Sequence, residues 1–134
     1  MAANDTTARL GIRHMAPMSS HAKDHYLLLW GIEDLDVKAV ESGQMIRFSY
    51  STIDPAKAAA LNDKKANPVL LDESRHVQLI VPTMEKVGQL RQTATPQAGN
   101  SYWMVFSNKG GVVKPGDRVN IAIGKFRAEG LYVR

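Results

Sequence analysis

The chain has 134 residues, 44% of them hydrophobic and 22% charged, which is the size and composition of one globular domain with its own core and excludes wholesale disorder. Its net charge of +4 comes from Lys and Arg scattered among Asp and Glu, with no basic face or run beyond Lys64-Lys65, so nucleic-acid binding is not expected. Cysteine is absent, which removes disulfides, zinc-thiolate sites and thiol chemistry together.

Residues 1–24 are polar, rich in Ala, Ser and Thr, and without a period, and they read as a flexible arm before a single domain at 25–134. His25 to Ile32 is short, apolar and closed by Gly31, the pattern of a strand buried on both faces. Leu35, Val37 and Ala39 alternate with Asp34, Asp36 and Lys38, and Ile46, Phe48 and Tyr50 alternate with Met45, Arg47 and Ser49. Glu41-Ser42-Gly43 separates these two runs, a connection short enough to demand antiparallel pairing.

Asp54-Pro55 supplies an N-cap and a first helical residue ahead of alanines, predicting a short crossover helix to about Leu61. Val69 to Leu71 and the alternation Val77, Leu79, Val81 predict two more strands, the second ending at Pro82. A turn of helix is expected around Glu85, Lys86 and Val87, followed by a loop at 93–100. Tyr102 to Phe106 is apolar on both alternating faces, which predicts a strand that is central or covered on both sides. Asn108-Lys109-Gly110-Gly111 reads as a hairpin reversal. Val119, Ile121 and Ile123 mark a one-sided strand, Gly124 a bend, and 126–133 a last strand bulged near Gly130. About seven short strands with one short crossover helix make a mainly β fold, an antiparallel β-sandwich of Ig-like or cupredoxin-like type or a partly closed barrel.

No Gly-x-Ser-x-Gly elbow and no phosphate-cradling loop occurs, and the acidic pairs Asp34/Asp36 and Asp72-Glu73 have the setting of solvated charge. The one constellation with a chemical argument is His14, Met15, Met18, His21 and His25. Thioethers suit Cu(I) and imidazoles suit Cu(II), so this mixture selects copper, and His21 and His25 share a face if the segment is helical. The opposing reading docks the methionines on the core and leaves the histidines on the surface.

Tyr102-Trp103-Met104, Val113-Lys114-Pro115-Gly116-Asp117-Arg118-Val119 and Ile121-Ala122-Ile123 resemble the closing strands of PCuAC-type periplasmic copper chaperones over about residues 69–124. The resemblance implies a cupredoxin-like sandwich and copper held by Met and His. The family's ligand pattern is broken, however: Gln78 stands in His76-Val77-Gln78 where a methionine would follow, and Leu90 precedes Arg91 where Met-Arg is the pattern. The sequence therefore reads first as a non-catalytic binding or interaction module, periplasmic or secreted with its targeting segment removed. Its partner would be another protein or a membrane-associated assembly, without a transmembrane segment in this chain. Copper handling through the five His and Met residues is the alternative.

Overall fold

A computed structural model describes residues 18–84 and 88–134. The first element is a helix, α1 (Ser20–Trp30). The Ser19 side chain accepts from Ala22 N at 3.1 Å, and Gly31 closes the other end in the left-handed region (φ 62°), its N–H donating to Leu27 O. This corrects the strand expected at 25–32: a short apolar run has no period of its own, and the glycine that looked like a strand terminator is a helix cap. Residues 20–24, assigned to the arm by sequence, are the first turns of α1.

β1 (Ile32–Val40) and β2 (Met45–Thr52) pair antiparallel around a 3-10 turn at Glu41–Gly43, as their alternation requires. Ile46, Phe48 and Tyr50 are all buried. α2 (Pro55–Ala58) starts on the Asp54 carboxylate, which accepts from Ala56 N and Lys57 N, and runs on into a 3-10 turn at Ala59–Asn62. β3 (Val69–Asp72) and β4 (Val77–Ile80) form the next hairpin, and β5 (Thr83–Met84) pairs with β6 (Gly88–Gln89). The helical turn expected at 85–87 lies outside the described residues.

β7 (Ser101–Ser107), β8 (Arg118–Ile123) and β9 (Phe126–Tyr132) complete the chain. The strand orders are β1-β2-β7 and β4-β3-β8-β9, giving a mainly β, antiparallel, sandwich-like fold with nine strands among the described residues. β7 is the last strand of its sheet, so the expectation of a central strand does not hold. Tyr102, Met104 and Phe106 are buried while Trp103 on the other face is 37% exposed. Its outer edge is met by 90–92, through Val105 N to Leu90 O (2.9 Å) and Gln92 N to Trp103 O (3.0 Å). The 108–111 segment is likewise a crossing between sheets, since β7 and β8 do not pair. The β8–β9 register shifts between Val119 and Ile121, the expected bulge, and Asn120 Oδ1 accepts from Gly130 N there.

The core fills the space between the sheets. Phe48 from one and Phe126 from the other stack at 6.4 Å, each fully buried and contributing about 1.5–3 kcal/mol. At one seam the sheets are laced together by the C-terminus, where Arg134 N donates to Val37 O and Ala39 N to Arg134 O, both at 2.9 Å. α1 packs beside this seam. Trp30 meets Phe126 edge-on at 5.2 Å, and the Tyr26 hydroxyl accepts from Glu129 N at 3.3 Å on β9. A helix laid against a free strand edge protects it from pairing elsewhere.

Candidate functional site

α1 is the element from which a site can be built, because its sequence splits it into a docked side and an exposed one. Tyr26 is its one buried residue, and burial raises its phenol above the usual range against the opposing pull of Glu129 N–H. Met18, Ala22 and Trp30 pack partly against the core. Away from these contacts Leu28 and Leu29 are 66% and 58% exposed, and Leu27 is also exposed. Ile53, exposed as well, is tied to the helix cap through its N–H to Gly31 O (2.7 Å). Lys57 Nζ donates to Leu28 O at 2.8 Å and fixes α2 to the same end.

Two grooves flank the helix. One of about 400 Å³ lies between α1, β1 and β9, with Tyr26, Leu35 and Leu131 along it and the Asp36–Arg134 ion pair (2.6 Å) at its rim. The other, of about 430 Å³, runs along Lys23, Leu27, Ile32 and Asp34. Met18 lines both.

The proposed metal ligands divide. His14 and Met15 lie outside the described residues. His21 and His25 are exposed one helical turn apart on α1, whereas Met18 is half-buried against the core. Among the described residues no group of three or more His, Asp or Glu side chains is gathered to hold a metal ion. His76 and Gln78, from the resemblance, are exposed, and Arg91 is buried.

Two buried polar networks and one at the surface over a buried carboxylate were not foreseen from sequence. Asn108 donates to Gly43 O (2.9 Å) and Val113 O (2.7 Å) and accepts from Val113 N (3.0 Å), fastening the β1–β2 turn to the crossing segment. Arg91 donates to Leu61 O and Ala66 O, both at 2.7 Å, and to Asp63 O at 3.2 Å. Burial lowers its guanidinium, with Tyr50 and Asp63 opposing. Tyr50 in turn hydrogen-bonds Asn62, and burial pushes its phenol far above the usual range. In the third network Arg75 bridges the fully buried Asp72 (Nε to Oδ2 3.7 Å) and Asp117 (Nε to Oδ2 2.5 Å). Each of these closes a loop on a strand end, and none opens on a groove with a nucleophile and base beside it. Asn108 was legible only as a turn residue and Arg91 only within the resemblance; neither lies in a periodic position that would mark it as buried.

No protein-family model matches the chain, and no curated protein or solved structure matches it either. What the fold and the site define is a class: a mainly β, antiparallel sandwich-like domain that carries a helix with exposed leucines on one seam.

Proposed function

We propose that this domain is a non-catalytic binding module that assembles with another protein through α1. The carrying observation is the exposed Leu27-Leu28-Leu29 segment with Ile53 beside the cap. Single exposed apolar residues are ordinary, but three on the last turns of one helix and a fourth beside its cap present apolar area that association would remove from water at about 25 cal/mol per Å². An extracytoplasmic setting belongs to the same proposal, resting on the sandwich-like arrangement of short strands. No helix among the described residues is long and apolar enough to cross a membrane. The likeness to PCuAC-type chaperones enters as a proposal about fold, with the departures at Gln78 and Leu90 leaving its ligand set behind.

The test is site-specific photocrosslinking in the producing cell with a benzophenone side chain at position 28, and at position 125 as an exposed control. A discrete adduct from position 28 alone is expected. No adduct, or the same adducts from both positions, overturns the assignment.

A second reading rests on His21 and His25, whose spacing on the exposed side of α1 puts their Cβ atoms about 5–6 Å apart. Two such imidazoles chelate Cu(II), Ni(II) or Zn(II). Deleting the arm would remove half of α1, so the test is Cu(II) titration of untagged protein against a His21→Ala/His25→Ala variant. Stoichiometric binding that survives both substitutions sinks this site.

A further inference from the structure

The outer face of the β1-β2-β7 sheet carries a charge arrangement that the fold does not use. Lys38 on β1 stands directly opposite Arg47 on β2, and Arg47 stands directly opposite Val105 on β7. Like charges directly opposite each other across antiparallel strands sit about 5 Å apart at Cβ and destabilise the pair. A sheet normally relieves this with a carboxylate. Among the described residues the ion pairs are Arg75–Asp72, Arg75–Asp117 and Arg134–Asp36, so neither Lys38 nor Arg47 has one. Asp36, the next outward residue on β1, is held by Arg134 through two hydrogen bonds of 2.6 and 2.9 Å. Glu41 lines the same face without pairing to either cation.

Beside the two cations is a shallow groove of about 340 Å³ formed by Val40, Glu41, Met45, Arg47, Trp103 and Val105. Four of these six side chains are apolar. Trp103 is 37% exposed on a sheet-edge strand, where an indole gains most from being covered. Tryptophan and arginine together are the residues most often found at the energetic centre of protein interfaces.

We propose that this sheet face docks an acidic segment of a partner protein, whose carboxylates are received by Lys38 and Arg47 and whose apolar side chains cover Trp103, Met45 and Val105. Charge complementarity fixes the sign of the partner, and the apolar majority of the groove favours a protein segment over a polysaccharide or other polyanion. The surface is formed by residues other than those of α1, so it stands or falls independently of the α1 assignment.

The probe is a synthetic octapeptide of alternating Glu and Leu, with its Lys-for-Glu counterpart and polygalacturonate as the comparison arms, titrated into the full chain at 50 and 300 mM salt. Amide chemical-shift changes are expected at residues 38–47 and 103–105 for the acidic peptide. Affinity should fall at least 10-fold in Lys38→Gln/Arg47→Gln and fall with salt, and should be unchanged in Leu28→Glu/Leu29→Glu. Shifts elsewhere, equal binding of the basic peptide, or insensitivity to salt overturns the proposal, and polygalacturonate binding here in place of the peptide overturns its choice of partner. Stability gives a separate readout: Lys38→Gln alone should raise or preserve the urea midpoint at low salt, by removing an opposed like charge. A lowered midpoint would show that Lys38 serves the fold and sink the argument.

Discussion

Gly31 joins three elements at one point, and replacing it with alanine tests whether that joint holds α1 in place. The residue has φ 62°, and a Cβ there would lie 2.6 Å from Asp54 O and 2.7 Å from Asp54 Cβ. Its carbonyl accepts from Ile53 N (2.7 Å) and Asp54 N (3.0 Å), while Asp54 caps α2. An alanine in the left-handed region costs roughly 1–2 kcal/mol by itself. Moving Asp54 aside weakens an N-cap and the bonds to Gly31 O, bringing the total to roughly 3–4 kcal/mol. That is a large part of the roughly 5–15 kcal/mol that holds a domain together, and lowers Tm by roughly 10 °C. Gly43 is the control, with φ 84° and nothing within 4 Å of its would-be Cβ, so Gly43→Ala carries the conformational cost alone. Urea unfolding followed by circular dichroism gives both values if the slope m is unchanged. Equal losses for the two variants would refute the claim that close approach to Asp54 is what fixes the joint.

Asn108→Ala strands Gly43 O, Val113 N and Val113 O and should cost roughly 2–4 kcal/mol in the same assay, whereas a surface polar residue would cost under about 0.5 kcal/mol. Burial would raise the Asp117 carboxyl, but hydrogen bonds from Arg75 and from Lys114 N outweigh it and hold the group below the usual carboxylate range. Its folded value being depressed, the stability it contributes is complete above the unfolded value of about 4 and is lost as pH falls through the folded one. Urea midpoints at pH 5.5 and 3 should therefore fall less in Asp117→Asn than in the parent chain, and an unchanged acid limb would contradict this. Leu29→Glu should shift stability by less than about 0.5 kcal/mol, since the side chain is exposed, while weakening the crosslink from position 28. Amide hydrogen exchange should be faster in α1 than in β2 or β8, because α1 buries one residue of eleven and they bury every second one; protection equal to β2 or β8 would show that it opens only with the whole domain.

The strands at 45–52 and 118–123 were legible because one face of each is buried, so period-2 alternation survives in the residues themselves. Asp54-Pro55 and Gly130 were legible because their backbone preferences act locally. α1 was not, because its last turns, Tyr26 to Trp30, are apolar on the exposed side as well, which erases the helical period that a solvated helix would show. The place of β7 in its sheet is decided by which strands pair, and the string Asn108-Lys109-Gly110-Gly111 is equally a hairpin turn or a crossing. The spacing of His21 and His25 puts them on one face only in a helix, and the sequence read this segment as an arm and a strand; whether Met18 joined them depended on where the core lay, which no spacing encodes.

The leucines of α1 are better understood from what the helix lacks. An eleven-residue helix is marginal in water, and this one buries only Tyr26, leaning otherwise on the Ser19 and Gly31 caps and on Trp30 against Phe126. A sequence selected for the isolated fold alone would place polar residues at 28 and 29, where solvent is already present, and lose little by it. Leucine there adds little packing to this domain. Its larger benefit appears when something covers it, and then the same burial that attaches the partner also stabilises a marginal helix. Binding at α1 and ordering of α1 are in this sense one equilibrium, whereas the basic face of the β1-β2-β7 sheet is held rigid by two paired neighbours and offers a surface already formed.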